Sequence, residues 1–518
     1  MTRQAAFAPA LAGSAFLLAG WSLLAAATAD SQLIAGPVEV IAWIADNPGL
    51  IGRALAVTLR NAAAGFALGN LAAILLAAVA LAWPRSLNLI SGLALVVFCL
   101  PLIATGPVLR VLMGPGEGPQ IALAALAVYY TTLIPLLTGL RAMPAAWLDL
   151  VHSYGRGRLA ELVHVRARAA LPYLFAGLQI AAPAAFLGAM VGEFTGAERG
   201  MGVLTIRFMR AMDATALWAI AALAAAVSMA AYAAIGALAR HLSHDRPPVI
   251  LAPPRPVAGS RAGKALDGAV LILAVLAGWW GAMELLGLDP FFAKRPWDVV
   301  AALAWAPDAA ATRAALIRAT GETALFLLPG YLAGLALGAG LATLLTLRPG
   351  LALPIMPVAV ALRSIPIVTT APLIVLFLGR GATGTITLVA VMVFFPTLVA
   401  CLHGLRQAPG QILDLFRTYA AGSLRQMIHV RIPAMLPALF AAARMSVPAA
   451  ILAVTVVEWL TTGRGLGSLM ALSASTSNYN LLWSAVVVVT VISALCHAAV
   501  ALLERRVLRV YAPEQLRR

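Results

Sequence analysis

Residues 149–172 read DLVHSYGRGRLAELVHVRARAALP, and residues 414–437 read DLFRTYAAGSLRQMIHVRIPAMLP. The first stretch holds four arginines, two acids and two histidines. It sits in a chain that is 62% hydrophobic and only 11% charged. Soluble domains carry about 25% charged residues. The same polar interruption therefore occurs twice in a membrane-type sequence.

On either side of these stretches, apolar runs long enough to cross a bilayer recur through the 518 residues. Hydropathy predicts an all-α polytopic chain of about twelve spans. The first six lie near 8–27, 55–82, 88–112, 120–140, 172–195 and 215–238. The second six lie near 267–287, 321–346, 351–378, 383–404, 437–460 and 482–503. The first run ends in AAATA at 25–29, which also suits a signal-peptide cleavage site. A retained helix is the expectation, because the span at 267–287 needs a counterpart.

A shift of 265 residues aligns the two halves without a gap over a long stretch. Thr58 meets Thr323, Gly65 meets Gly330, and Gly69 meets Gly334. Pro101 and Pro107 meet Pro366 and Pro372; Gly114 and Gly116 meet Gly379 and Gly381. Glu193 meets Glu458, Gly200 and Gly202 meet Gly465 and Gly467, and Trp218 meets Trp483. Chance matching of apolar residues does not put Gly, Pro, Glu and Trp into one register. Upstream the register slips by six, so that Pro37-Val38-Glu39-Val40 resembles Pro296-Trp297-Asp298-Val299. Six spans per copy is an even number, so both copies enter the membrane in the same orientation, as parallel repeats. The expected units are a first repeat at 1–239 with its polar loop at 141–171, a Pro/Arg-rich linker at 240–266, and a second repeat at 267–518 with its polar loop at 406–436.

The net charge of +16 is concentrated in particular loops, which argues against a nucleic-acid partner. Segment 141–168 has five Arg against two acids, and segment 406–431 has four Arg against one. Segment 240–264 and the tail 504–518 are also basic, whereas 193–213 and 30–53 are not. Positive loops stay cytoplasmic. Both termini, the linker and both polar loops are therefore expected in the cytoplasm. Cys99, Cys401 and Cys496 fall in apolar runs and read as small buried hydrophobes.

In the first polar loop, Leu148, Val151 and Tyr154 recur at helical spacing before Gly155 breaks the turn. A second piece, 156–167, precedes Pro172 near the start of the next helix. Such a segment can lie on the membrane surface with its arginines toward lipid phosphates. Its duplication suggests instead a partner with two identical lobes. Asp149 and Asp414 are candidate helix caps or partner contacts.

Here the pattern resembles the signature loop of ABC importer permeases: an acid and two alanines, three residues, Gly, nine residues, an aliphatic, then a Pro-containing helix start. The first copy offers Asp149-Leu150-Val151, Gly155, Val165 and Leu171-Pro172. The second offers Asp414-Leu415-Phe416, Tyr419-Ala420, Val430 and Leu436-Pro437. Both copies use Asp for the usual Glu and lack the alanine pair, and Ala420 stands where Gly is expected. VGEFTGAERGMG at 191–202 and VVEWLTTGRGLG at 456–467 look like the Glu…Gly-x-Gly stretch of nitrate/sulfonate/taurine-type permeases. The resemblance covers roughly 37–238 and 296–503 and implies two permease copies fused in one chain of a bacterial inner membrane. It implies two ATPase subunits, which bind ATP and Mg, gripping the polar loops, and a periplasmic or surface solute-binding protein on the other side. This chain itself would hold no cofactor or metal and would not be an enzyme.

Glu193 and Glu458 are acids at membrane depth, a functional-site signal. They serve structure or gating, with Arg199 or Arg464 as candidate partners, or else touch solute. Pro101 and Pro366 belong to the pathway or kink its helices. Arg110, Arg207 and Arg210 meet Val375, Leu472 and Ser475 in the register, so one mouth is more basic. GSRAGKA at 259–265 lacks the spacing and the Ser/Thr of a phosphate-binding loop. An ion-coupled secondary transporter is the main rival reading, followed by a membrane scaffold or enzyme. Within importers, fused iron(III) or thiamine permeases are another option.

Overall fold

The computed structural model describes residues 18–28, 34–141, 153–157, 161–242, 261–352 and 381–511, with single positions 15, 149, 151, 355, 369, 371, 373, 374, 378 and 379. The first copy runs through α1 (Leu18–Ala27), α2 (Pro37–Asp46), α3 (Pro48–Ala82), α4 (Leu87–Phe98), α5 (Leu102–Met113), α6 (Gly118–Arg141), α7 (Ala167–Phe194), α8 (Met201–Arg210) and α9 (Ala214–Leu242). The second runs through α10 (Arg261–Leu285), α11 (Pro296–Ala304), α12 (Ala309–Leu347), α13 (Ala382–Arg406), α14 (Gly410–Thr418), α15 (Ile432–Val457), α16 (Gly465–Ser475) and α17 (Tyr479–Tyr511). Among the described residues every regular element is helical, and nine helices are long and apolar enough to span a membrane.

Packing follows the repeat. In the first copy α6 lies between α3 and α7; in the second α13 lies between α12 and α15. Glycine permits the close approach. A Cβ on Gly65 would lie 2.7 Å from the carbonyl oxygen of Ile121, and one on Gly330 would lie 2.9 Å from that of Ile386. Ile121 and Ile386 are themselves register partners. Helices in lipid associate through such small-residue contacts, since lipid is as apolar as leucine. The slipped register also holds: the backbone N–H of Gly36 donates to Glu39 and that of Arg295 to Asp298, capping α2 and α11 alike. Trp21 on α1 packs 5.8 Å from Trp218, and Trp279 on α10 stacks 5.4 Å from Trp483.

The copies interlock through their third spans. Helix α5 of the first copy packs on α15, α16 and α17 of the second. In return, Leu373 of the second copy packs with Leu217 and Ala221 of α9. Helix α10 crosses to α4 of the first copy, where Leu271 closes on Gly92 and Asn88 donates to Asp267 at 2.8 Å. One core cluster contains Ala54, Met190 and Ile220 of the first copy together with Val389, Val454 and Val457 of the second.

Several sequence expectations change. The span at 88–112 is two helices, α4 and α5, broken at residues 99–101. Pro101 is the N-cap of α5, with extended backbone (φ −71°, ψ 114°), because proline has no N–H to continue α4. Pro172 is not near a helix start: a π-helical turn at Leu162–Arg166 runs straight into α7, and both Pro172 and Pro183 are internal. Of the second piece, Arg156 and Gly157 are not helical and Glu161 is, while 158–160 lie outside the described residues. The linker shortens too, since α10 starts at Arg261. Most of the span at 351–378, including Pro366 and Pro372, lies outside the described residues, as do 243–260 and Leu150.

Candidate functional site

The two acids at membrane depth each build a buried, hydrogen-bonded polar site. Glu193 lies on the last turn of α7 and is 1% exposed. Its Oε1 accepts from the Thr58 hydroxyl of α3 at 2.6 Å. Its Oε2 accepts from the backbone N–H of Gly202 at 2.6 Å. The Thr58 oxygen in turn accepts from the N–H of Met201 at 2.9 Å. Met201 and Gly202 open α8. The first N–H groups of a helix have no partner of their own and carry its positive end, so a buried carboxylate there satisfies donors and charge together. We call this arrangement a latch: α7 and α3 jointly hold the start of α8.

Glycine makes the latch possible. Gly200 turns with φ of +137°, and a Cβ there would fall on the Glu193 carboxyl. A Cβ on Gly202 would lie 2.9 Å from the Cβ of Glu193. The Glu…Gly-x-Gly spacing is thus the spacing of an acid and the backbone turn that wraps it.

The second copy repeats the latch in register. Glu458, 1% exposed, accepts from the N–H of Gly467 at 2.8 Å, and Thr323 accepts from that of Leu466 at 2.9 Å. Two features differ. Glu322 of α12 accepts from the N–H of Gly465 at 2.8 Å, and its register partner is Val57. Glu458 Oε1 is buried with no hydrogen-bond partner among the described residues. Arg199 and Arg464, the expected partners of these acids, are exposed and form no ion pair with them; backbone donors occupy the carboxylates instead. Thr58, Thr323 and Glu322 carry roles that the sequence reading did not assign. The matched threonines were visible in the register, whereas Glu322 had no counterpart to mark it.

Among the described residues, a second polar site lies in the second copy. Arg444 lies in the middle of α15, and its guanidinium pairs with Glu504 of α17 at 3.0 Å. His497 Nδ1 is 3.2 Å from the Arg444 carbonyl oxygen, and the Tyr331 hydroxyl donates to the Ala443 carbonyl at 2.8 Å. The register partners of Arg444 and Glu504 are Gln179 and Ala239. A charge at this depth needs a partner, and Glu504 supplies it. The sequence reading missed this pair because the two residues are 60 positions apart and neither is repeated.

The polar loops sit at the other end of α7 and α15. Helices of 28 and 26 residues separate them from the latches by roughly 40 Å at 1.5 Å per residue. Asp149 and Val151 are helical and Asp149 is exposed; Tyr154 is 78% exposed; Gly155 turns with φ of +69°. In the second copy α14 ends at Thr418, Tyr419 is 80% exposed, and Ala420 takes the same left-handed turn with φ of +52°. The chain reversals match: Arg156 N–H donates to Val151 O, and Ala421 N–H to Phe416 O. Such a six-to-one bond is the mark of a Schellman helix end. Asp414 does not cap this helix. The helix starts four residues earlier, after Pro409, and Asp414 pairs with Arg417 at 2.9 Å on its surface. Leu415 is 54% exposed and Phe416 lies 6.4 Å from the His429 ring.

Comparison with known proteins bears on both ends. The family model described as binding-protein-dependent transport system inner membrane component matches residues 69–245 and again residues 331–509. A probable ABC transporter permease of Haemophilus influenzae is 34% identical over 172 residues, 33% of this chain and 69% of the relative. A riboflavin transport system permease of Chloroflexus aurantiacus is 28% identical over 153 residues, 30% of this chain and 57% of the relative. A putative aliphatic sulfonates transport permease of Bacillus subtilis is 27% identical over 180 residues, 34% of this chain and 65% of the relative. Each alignment thus spans about one third of this chain, and between 57% and 69% of the relative.

Proposed function

We propose a mechanism from one premise: the chain belongs to the family of binding-protein-dependent transport system inner membrane components and carries two copies of that unit. It is a transport subunit and not an enzyme. It works with separate ATPase subunits and a solute-binding protein, as an importer permease does.

In our reading the polar loops face the cytoplasm, in line with their excess of arginine. Both termini lie on the same side. Two ATPase subunits then seat on the loops, one on Asp149–Gly155 and one on Asp414–Ala420. The observation that carries this is the matched pair of exposed helix ends, one per copy, each closed by the same left-handed turn. Exposed Leu415 and Tyr419 offer apolar surface to a partner groove. ATP-driven approach of the two ATPases moves the loops, and the rigid spans convert that into rocking of the interlocked copies. The latches keep α8 and α16 fixed to the spans that move, so the opposite mouth opens and closes as a unit. Glu193 and Glu458 act here by positioning those helices, because one oxygen of each accepts from a backbone N–H at the helix start. The Pro101 break leaves the third span in two pieces beside the copy interface, which suits a pathway wall.

The solute is a small organic nutrient or anion brought by the binding protein. Relatives named for riboflavin and for aliphatic sulfonates leave that range open. Reconstitution in nanodiscs with the ATPase subunits tests the joint. Leu150→Asp with Leu415→Asp is expected to leave ATP hydrolysis by the ATPases running while solute uptake falls more than about tenfold, since a charge at a desolvated contact costs a few kcal/mol. Coupled uptake unchanged in the double variant refutes the joint. Uptake driven by an imposed proton or sodium gradient without ATPase subunits would favour the secondary-transporter reading.

A further inference from the structure

The two latches hold helices of opposite chemical character. Helix α8 carries Arg207 and Arg210 on its exposed side. Helix α16 carries no charge at all, and the register partners there are Leu472, 59% exposed, and Ser475. The acids near α8 do not neutralise its arginines. Glu193 is buried beneath it, Asp213 Oδ1 accepts from the N–H of Ala216 at 2.9 Å, capping α9, and Glu198, exposed in the turn before α8, forms no ion pair with a described arginine. Arg207 lies 5.8 Å over the ring of Phe208, and neither arginine forms an ion pair with a described carboxylate. The guanidinium of Arg110 lies 3.8 Å from the Cβ position of Gly196, at the turn leading into α8, and adds to the same patch. Like charges three residues apart on a helix repel by a few tenths of a kcal/mol. That cost is offset when a partner supplies acids.

Two identical copies would offer a binding protein two equivalent ways to land. This chain does not. We propose that α8 is the docking surface for an acidic lobe of the solute-binding protein, while α16 receives the other lobe without charge pairing, so that the binding protein seats in one orientation only. This rests on the importer reading above. Interface charges of this kind act on encounter rate and register more than on final affinity. The patch is held rigid by the Thr58–Glu193 latch, so its geometry is set before the partner arrives.

The test uses the permease with its ATPase subunits in nanodiscs. Each solute-binding protein of the same genome is purified, labelled and titrated singly, with association followed by fluorescence. For the protein that binds wild type, Arg207→Glu with Arg210→Glu should slow association by about tenfold or more at low salt and flatten its salt dependence. Leu472→Glu with Ser475→Glu should change the rate less than about threefold. Substituting lysine for acids on one lobe of the binding protein should restore binding to the α8 variant only. Equal effects of the two double variants, or none from the first, overturn the inference while leaving the importer reading intact. A changed solute preference with unchanged docking overturns it in favour of an anion-attracting mouth. If no binding protein associates with wild type, the importer reading fails and this inference fails with it. Apparent melting temperatures of the variants check that each is folded.

Discussion

The latch at Glu193 and the latch at Glu458 share a plan and differ in completeness. Both place an acid under the first N–H groups of a short helix and both use a threonine from a neighbouring span. In the first, both carboxylate oxygens have donors. In the second, one oxygen has none and Glu322 adds a second carboxylate against Gly465. The difference separates what the architecture requires from what each copy has added. The acid on the helix start is required; how its second oxygen is satisfied is not.

The sharpest contrast between the copies is Arg444 with Glu504, against Gln179 and Ala239. Glu504→Ala leaves the part-buried Arg444 guanidinium unpaired, which costs up to about 3 kcal/mol. The apparent melting temperature in detergent, followed by the fluorescence of the chain's 11 tryptophans, should fall clearly. Gln179→Leu, at the matching position, should have a small effect. If the two fall equally, the pair contributes no special stability.

Removing each latch acid comes next. Glu193→Ala strands the Gly202 N–H and the Thr58 hydroxyl, at about 1–3 kcal/mol per buried unsatisfied group. Glu458→Ala should cost less, because Glu322 still holds Gly465. The amide variants sharpen this further. Gln has one acceptor oxygen, so Glu193→Gln keeps the Gly202 bond only if its amide N–H donates to Thr58 and the Thr58 hydroxyl turns to the Ala54 carbonyl, a rearrangement costing about 1 kcal/mol or less. Glu458→Gln can keep its one bond and should be close to neutral. Melting temperatures that fall equally would mean the second latch is as complete as the first. The smallest expected effect is at the polar loops. Ala420→Gly relieves a left-handed alanine and should stabilise α14 by about 1 kcal/mol, whereas Gly155→Ala should destabilise its counterpart by a similar amount. Hydrogen exchange of the two loops reads both.

Much of this was legible in the residues. The repeat, the spans and the matched polar loops follow from a register in which Gly, Pro, Glu and Trp recur 265 apart. The helix break at Gly155 and its partner Ala420 could be placed for the same reason. The capping role of Asp414 was misread, because the helix start depends on Pro409, four residues outside the matched motif. Pro172 was misread because a π-helical turn lets the chain run on through it. The latch acids were found, but not their partners, since Thr58 and Glu193 are 135 residues apart.

Sequence alone determined that two copies of one apolar helical unit lie in one chain, because hydrophobic length and a fixed repeat are properties of the order of residues. Only the tertiary structure decided what the acids do and which distant carboxylate Arg444 pairs with. Those depend on which backbone N–H groups and which distant side chains the packing of helices within each copy brings to about 3 Å, and no one-dimensional spacing encodes that.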